Sequence, residues 1–199
     1  NVPYTQYKYT NKNTTVRITS VTTDDSGNQY VACQYGPRAA VLFGTEFPSS
    51  YNAVLIKLDS NRKVVWSRTI ASPTPPLYIV NASRYSDGIV AILSKPTGVA
   101  VEQFDSSYPV AIIKYDFDGN IVWTCYWSGE IDTINVEPYS DGEYILFTGK
   151  YPDAAQQFFI DAIGQSTTFN TVANNNISFV LRLTKSGTIN TVNYVYNTL

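Results

Sequence analysis

The stretch FPSSYNAVLIKLDSNRKVVW, residues 47–66, recurs as FDSSYPVAIIKYDFDGNIVW, residues 104–123, at a constant offset of 57 and without a gap. The match includes Lys57 with Lys114 and ends on a tryptophan in both copies. A fixed sequence period indicates repeated structural units, so the chain predicts at least two copies of one supersecondary unit.

A third, weaker copy reads SFVLRLTKSGTINTVNY and has Arg182 at the lysine position and Thr191 at the tryptophan position. Upstream of the copies lie three related segments with expected turn glycines at Gly27, Gly88 and Gly142. We therefore divide a single domain, residues 1–199, into an orphan strand and three repeats, with expected bounds of 1–10, 17–71, 77–128 and 131–197.

Within each repeat, short runs of β-branched and aromatic residues are separated by Ser, Asp, Asn and Gly, which is typical of strands and turns. We expect four strands per repeat, A to D, which in the first are residues 17–23, 29–34, 53–58 and 63–70. Strand C is apolar on both faces, which indicates burial on both sides, and strand D is more polar and predicts an edge. The expected fold is all-β, with three propeller-like four-stranded antiparallel blades plus an extra N-terminal strand.

The segments SVTTDDSGNQYVACQYG, EFPSSYNA and VLIKLDSNRKVVWSRTI, followed in the second unit by AIIKYDFDGNIVWTCYW, resemble the SBBP-type β-propeller repeat family. The resemblance covers residues 17–127 well and 132–196 loosely. It implies a propeller scaffold, and no catalytic residues come with the motif.

Composition excludes several function classes. The chain of 199 residues contains no histidine, which removes Ser-His-Asp and Cys-His nucleophiles and His-ligated zinc. Its 14 basic residues are scattered along the sequence and are outnumbered by 16 acidic ones, which argues against nucleic-acid binding. No apolar run approaches the length of a membrane span, and we expect no cofactor and no metal site. Cys33 and Cys125 lack metal-type spacing and are expected to be two separate buried thiols.

The N-terminal segment NVPYTQY matches residues 120–126 at an offset of 119, so the chain begins with what reads as a strand D. An unpaired strand invites pairing with another chain. We expect this segment to add to a second subunit, with a trimmed fragment and a strand that closes its own molecule as the alternatives. The expected assembly residues are Tyr4, Thr5, Tyr7 and Tyr9.

The connections between strands B and C, residues 36–52, 96–109 and 151–176, vary most between repeats and therefore predict the variable face. Each contains phenylalanine beside acidic or amide residues, which could stack on a sugar or anchor a protein partner. Alternatively, Phe47 and Phe104 recur because they pack between blades. The candidate ligand or partner contacts are Phe158, Phe159, Asp161, Glu46, Glu102 and Asp105.

Two further patterns are interpreted structurally. Asp116, Asp118 and Asn120 have the alternate spacing of a calcium loop, but Gly119 comes two places too early and Trp127 stands where the bidentate glutamate would be. A plain turn between strands C and D is therefore expected. Lys57 and Asp59 lie two residues apart on one strand face and predict an ion pair or a solvated rim.

Together these patterns favour a non-enzymatic scaffold or recognition module that self-associates at an extracellular, cell-surface or virion-surface location. A glycan-binding module that uses the B–C connections is the alternative. A carbohydrate-active enzyme based on paired carboxylates is the third possibility. The three Asn-x-Ser/Thr sequences, at Asn13, Asn81 and Asn176, are as frequent as chance predicts and decide nothing.

Overall fold

The computed structural model of the chain describes residues 15–36, 38–48, 51–72, 78–85, 87–95, 104–105, 107–128, 136–138, 144–151, 157–169 and 177–195. Over these residues the chain is all-β, its strands pair antiparallel, and no helix is present. The predicted fold class is therefore confirmed at this level. The predicted N-terminal strand, residues 1–10, lies outside the described residues. Within the same ranges there is no helix with the length and apolar character needed to cross a membrane.

Three antiparallel sheets follow one another along the chain. The first sheet contains β1 (Thr15–Thr23), β2 (Gln29–Gly36), β5 (Tyr51–Leu58) and β6 (Val64–Ser72), in that order, with a small hairpin of β3 (Ala40–Leu42) and β4 (Thr45–Phe47) between β2 and β5. The second begins with β7 (Tyr78–Tyr85), β8 (Gly88–Ser94), β9 (Val110–Tyr115) and β10 (Ile121–Trp127). The third contains β11 (Val136–Pro138), β12 (Tyr144–Tyr151), β15 (Ile177–Thr184) and β16 (Ile189–Val195).

The last strand of each repeat carries the same irregularity. Val65, Val122 and Asn190 each stand unpaired between two residues that pair with the preceding strand. Such a β-bulge bends the strand and re-aims its side chains. The third repeat thus keeps the backbone feature of the other two even though it has lost their tryptophan.

The prediction that every repeat forms a four-stranded sheet is wrong for the second sheet. A hairpin of β13 (Gln157–Ile160) and β14 (Ser166–Phe169), which belongs to the B–C connection of the third repeat, pairs with β10 and makes six strands. Strand D of the second repeat is therefore internal rather than an edge. The physical reason is that an edge strand offers unpaired N–H and C=O groups, which a nearby hairpin can satisfy.

The sheets pack in layers, so that the second sheet has a core on each side. Between the first and second sheets lies a cluster that includes Tyr30, Leu55, Ile70, Ile89, Leu93 and Ile113. Between the second and third lies another, with Ile92, Ile112, Trp127, Phe159, Leu181 and Leu183. The opposite face of the first sheet packs against its own β3–β4 hairpin through Val31, Tyr35, Ile56, Ala40, Leu42 and Phe47.

Burial agrees with the predicted character of strand C. All six residues of β9 are buried, as are residues 53–56 of β5. Phe47 and Phe104 are also buried, at 4% and 8% exposure, inside two of these cores. Cys33 and Cys125 are separate buried thiols, as predicted, and burial raises the pKa of Cys33 to about 12.

Five hairpin turns share one geometry. In each, the carbonyl oxygen of the first residue accepts the N–H of the fourth, and the N–H of the first residue donates to the carbonyl oxygen of the fifth. In the turn from Asp116 to Asn120, for example, the N–H of Gly119 donates to Asp116, and the N–H of Asp116 donates to Asn120. The fourth residue is left-handed, with φ of 78°, 64°, 81°, 81° and 81° at Gly27, Arg62, Gly119, Gly164 and Gly187. Gly88, predicted as a turn glycine, has a different role: it begins β8, where a Cβ would lie 2.0 Å from the carbonyl oxygen of Tyr115.

We expect Gly119→Ala to lower the free energy of unfolding by about 2–5 kcal/mol. The backbone strain of a left-handed alanine contributes about 1–2 kcal/mol, and overpacking contributes about 1–3 kcal/mol, because the new Cβ would lie 2.9 Å from Cδ2 of Trp66. Gly164→Ala is the matched control, since Gly164 has the same φ of 81° with nothing within 4 Å. Urea unfolding compares the two, and equal losses would contradict the packing role of Gly119.

Candidate functional site

Consecutive sheets are joined by one recurring contact. Lys57 on β5 and Trp66 on β6 are direct cross-strand partners, so their side chains share a face. Both donate to the carbonyl oxygen of Phe117 in the second repeat's C–D turn, from Nζ at 2.8 Å and from Nε1 at 3.0 Å. Arg68, two residues after the tryptophan, donates from Nε to the carbonyl of Gly119 in the same turn. We call this set the first interface contact.

The second interface contact repeats this arrangement between the second and third sheets. Lys114 and Trp123 are cross-strand partners and donate to the carbonyl oxygen of Lys185, at 3.5 Å and 3.0 Å. Cys125 stands at the position of Arg68, and its thiol donates to the carbonyl of Gly187 at 3.2 Å. Each of the first two repeats thus presents a lysine and an indole to the C–D turn of the next.

Glycine makes room for the tryptophan at both interfaces. A Cβ on Gly119 would lie 2.9 Å from Cδ2 of Trp66, and a Cβ on Gly187 would lie 2.8 Å from Cδ2 of Trp123. The equivalent residue of the first repeat is Arg62, which has the same left-handed backbone but carries a side chain. The turn of the first repeat therefore has the backbone of the other two but not the glycine that leaves room for an indole.

The acidic residues of these turns bind the turn itself. Oδ1 of Asp116 accepts the backbone N–H groups of Asp118 and Asn120 at 2.9 and 2.8 Å, and Oδ2 accepts the side-chain amide of Asn120 at 2.9 Å. Burial opposes ionisation of Asp116, but the hydrogen bonds from Asn120, Asp118 and Gly119 lower its pKa. Asp59 likewise accepts the N–H groups of Asn61 and Lys63, so Lys57 and Asp59 have separate partners rather than the predicted mutual pair.

This use of the carboxylates favours the plain-turn interpretation over the calcium loop. Within the part of the chain that the structure describes, no group of three or more His, Cys, Asp or Glu side chains is placed to hold a metal ion.

A groove opens where the second and third sheets meet. It has a volume of about 620 Å³ and is lined by Asp87, Lys114, Val122, Trp123, Ala162, Ile163, Thr184, Lys185 and Ser186. Ile163, at the tip of the β13–β14 hairpin, is 73% exposed, and Val122 is 52% exposed. The groove therefore combines apolar side chains with three charged ones.

The charges in this groove are centred on Asp87. Its carboxylate binds the buried ammonium of Lys114 at 2.6 Å and that of the exposed Lys185 at 3.2 Å. The Lys114 ammonium also lies 4.8 Å from the ring centre of Tyr85. Burial raises the pKa of Asp87, but the hydrogen bonds and charges of the two lysines outweigh it and leave the pKa below its usual range.

At the first interface the corresponding space is closed by an aromatic side chain. Phe117 stands where the third repeat has Lys185, and its ring lies 5.9 Å from that of Tyr30. Lys57 lies 5.6 Å from the same tyrosine ring. The two interfaces thus share their hydrogen bonds and differ in how the adjoining space is filled.

The described residues that were predicted to bind a ligand differ in their exposure. Glu46 on β4 and Asp105 are exposed, whereas Phe159 is 0% and Asp161 4% exposed. Phe159 packs in the core beside Trp127, and Asp161 accepts the N–H groups of Ile163 and Gln165 in the β13–β14 turn. Packing and turn formation explain both of these residues, and a ligand contact through them stays a prediction.

The remaining predicted site residues lie outside the described part of the chain. These are Tyr4, Thr5, Tyr7, Tyr9 and Glu102, together with the side chain of Phe158.

A scan against models of protein families finds no match to the chain, and a search of curated proteins finds none either.

We expect Lys57→Met and Trp66→Phe to be energetically coupled, because both remove a donor from the same carbonyl oxygen. Contacting residues typically show coupling of about 0.5–3 kcal/mol in a double-mutant cycle. The control cycle combines Lys57→Met with Trp123→Phe, which acts on the other interface and should be additive within about 0.5 kcal/mol. Urea unfolding of the six proteins provides the test, and additivity in both cycles would contradict a shared acceptor.

We expect acid to weaken the junction of the second and third sheets through Asp87. Because its folded-state pKa lies below the ordinary value of about 4, its stabilising contribution is present above that value and is lost as the pH falls through the folded-state pKa. Asp87→Asn should be destabilised at neutral pH, since Lys114 stays buried without its acid, and should lose less stability on acidification. Asp118→Asn, at an exposed turn residue, is the control. Identical pH profiles of wild type and Asp87→Asn would contradict this role.

Proposed function

We propose that the chain is a non-enzymatic, β-propeller-like scaffold and recognition module. The observation that carries the proposal is the repetition of the interface contact: Trp66 with Lys57, and Trp123 with Lys114, donate to the equivalent carbonyl of the next repeat. An array in which each sheet contacts its sequence neighbours through the same groups is the organisation of blades in a propeller. The resemblance of residues 17–127 to SBBP-type repeats supports the same interpretation.

The described ionisable groups also support a scaffold. Asp24, Asp59, Asp116 and Asp161 hold turns, and Asp25 pairs with Arg84 across the first two sheets. These groups therefore have structural partners. Catalysis by two carboxylates needs a pair about 5–9.5 Å apart across a cleft, and the structural use of these residues favours binding over turnover.

Recognition is assigned to the regions that differ between repeats. The B–C connection forms the β3–β4 hairpin in the first repeat and extends the neighbouring sheet as β13–β14 in the third. Surface loops on a rigid scaffold are where binding residues concentrate. We propose an extracellular, cell-surface or virion-surface setting, in which the chain binds another copy of itself or a surface protein or glycan.

Self-association through residues 1–10 is the testable part of this proposal. We expect the full chain to sediment as an oligomer and a chain that begins at residue 11 to sediment with a smaller mass, because the strand that would add to a second subunit has been removed. The matched control is the double variant Tyr4→Ser/Tyr7→Ser, which keeps all 199 residues. It should also sediment with a smaller mass, which would show that the tyrosines and not the chain length are responsible. Tryptophan fluorescence checks that each variant is folded. Equal masses for folded full-length and shortened chains would contradict self-association through this segment.

A further inference from the structure

The B–C end of the second repeat brings together two tyrosines and an exposed carboxylate. Tyr126 on β10 receives the backbone N–H of Asp105 on its hydroxyl oxygen at 3.4 Å. The ring of Tyr108 stacks on that of Tyr126, with centroids 5.4 Å apart and an angle of 29° between the planes. Both tyrosines are partly exposed, and the Asp105 side chain is exposed. We use the name Tyr108 cluster for Tyr108, Tyr126, Asp105 and the neighbouring Lys95.

Lys95 is the anomaly of this region. Its side chain is 3% exposed, and its ammonium has no hydrogen-bond partner among the residues that the structure describes. Its backbone N–H donates to the carbonyl of Pro109 at 2.8 Å, which fixes Lys95 beside the start of β9. A buried ammonium without an acceptor is costly. Lys114, equally buried, has Asp87 at 2.6 Å, so the same sheet shows how such a group is otherwise satisfied.

Lys95 and Asp105 influence each other electrostatically. Burial lowers the pKa of Lys95, and the charge of Asp105 opposes that effect. Hydrogen bonds from Ser107 lower the pKa of Asp105, and the charge of Lys95 adds to this effect. One of these bonds runs from the backbone N–H of Ser107 to Oδ1 at 2.8 Å. A carboxylate has about four acceptor positions, so Asp105 can still accept hydrogen bonds from a ligand.

We propose that the Tyr108 cluster binds a neutral saccharide. An aromatic ring offers an apolar platform for the C–H face of a pyranose. Asp105 accepts hydrogen bonds from the sugar hydroxyls. The buried positive charge of Lys95 favours the ionised form of Asp105, which is the form that accepts them. The opposite charges of Lys95 and Asp105 cancel, so a ligand with a net charge gains nothing and meets repulsion from one of them.

A cleft lies on the side of the cluster where the chain precedes Asp105. Phe104, the residue before Asp105, lines a volume of about 320 Å³ together with Arg68, Thr69, Ile70, Tyr115, Gly119, Asn120 and Ile121. Tyr126 packs against the core cluster that contains Phe104. Concave sites with a few convergent polar groups are the usual form of small-ligand sites. This inference rests on the recognition part of the proposed function and names its ligand class.

The test titrates methyl glycosides of glucose, galactose, mannose and N-acetylglucosamine into the full chain, with glucuronic acid as the charged counterpart, and follows binding by ligand-observed NMR. We expect at least one neutral glycoside to bind. Tyr108→Ala, Asp105→Asn and Lys95→Met should each weaken that binding by about tenfold or more, the equivalent of one lost charged or stacking contact. Asp118→Asn and Lys63→Met change exposed residues of the same types outside the cluster and should bind like the wild type.

Thermal unfolding provides a second readout that does not depend on knowing the preferred sugar. Without ligand, Lys95→Met should melt at a higher temperature than the wild type, because it removes a buried ammonium that has no acceptor among the described residues. With the bound glycoside, Lys95→Met should gain less stability than the wild type. Binding of no neutral glycoside, a preference for glucuronic acid, or unchanged binding by Asp105→Asn or Tyr108→Ala would overturn the proposal.

The two proposals fail separately. The sedimentation mass of each variant is measured on the same samples, and none of these substitutions lies in residues 1–10. Loss of saccharide binding with an unchanged oligomer leaves the scaffold intact, whereas a monomeric wild type that still binds the glycoside removes self-association alone.

Discussion

The architecture depends on a hydrogen bond from an indole to a main-chain carbonyl of the next repeat. Trp66 and Trp123 each reach a C–D turn 51 or 62 residues further along the chain, and each is joined there by the lysine paired with it across two strands. A turn carbonyl that faces a neighbouring sheet would otherwise be buried without a donor. The same contact therefore satisfies the turn and fixes the spacing of the sheets.

Several features of the sequence are consequences of this contact. Glycine at the fourth turn position allows the left-handed backbone and leaves space for the indole, as at Gly119 and Gly187. An aspartate or threonine at the first position binds the turn's own N–H groups and keeps its carbonyl in place. The outer repeats depart from this pattern, with Arg62 at the glycine position of the first and Thr191 at the tryptophan position of the third. The full contact, with both the tryptophan and the glycine, is therefore found at the junction of the first and second repeats and at that of the second and third.

Local features could be predicted from the sequence, and distant partners could not. The residue patterns in the segments repeated at an offset of 57 predicted the strands, the turns and the burial of strand C. These features depend on the alternation of apolar and polar residues and on turn-forming residues within a few positions. Lys57 was expected either to pair with Asp59, two residues away, or to be solvated at the rim, whereas its ammonium donates to the carbonyl oxygen of Phe117. Phe159 was a candidate surface group because it interrupts the repeat, but its hairpin pairs with β10, and that pairing buries it. Lys95 carried no motif, and its significance depends on burial alone.

Function is better sought where the repeats differ than where they agree. In the shared residues Trp66 and Trp123, the indole N–H groups are already used at the interfaces. At the second junction Lys185 stands at the position that Phe117 has at the first. Together with Asp87 and the tip of the β13–β14 hairpin, Lys185 lines a charged groove there. At the first junction the ring of Phe117 packs near Tyr30 instead. At the B–C end of the second repeat, Lys95 keeps a buried charge that packing does not explain. Among the described residues this ammonium has no hydrogen-bond acceptor, and the charge of Asp105 offsets only part of the cost of its burial. Because Asp105 is exposed, the cost of burying Lys95 falls at the point where a polar ligand would bind.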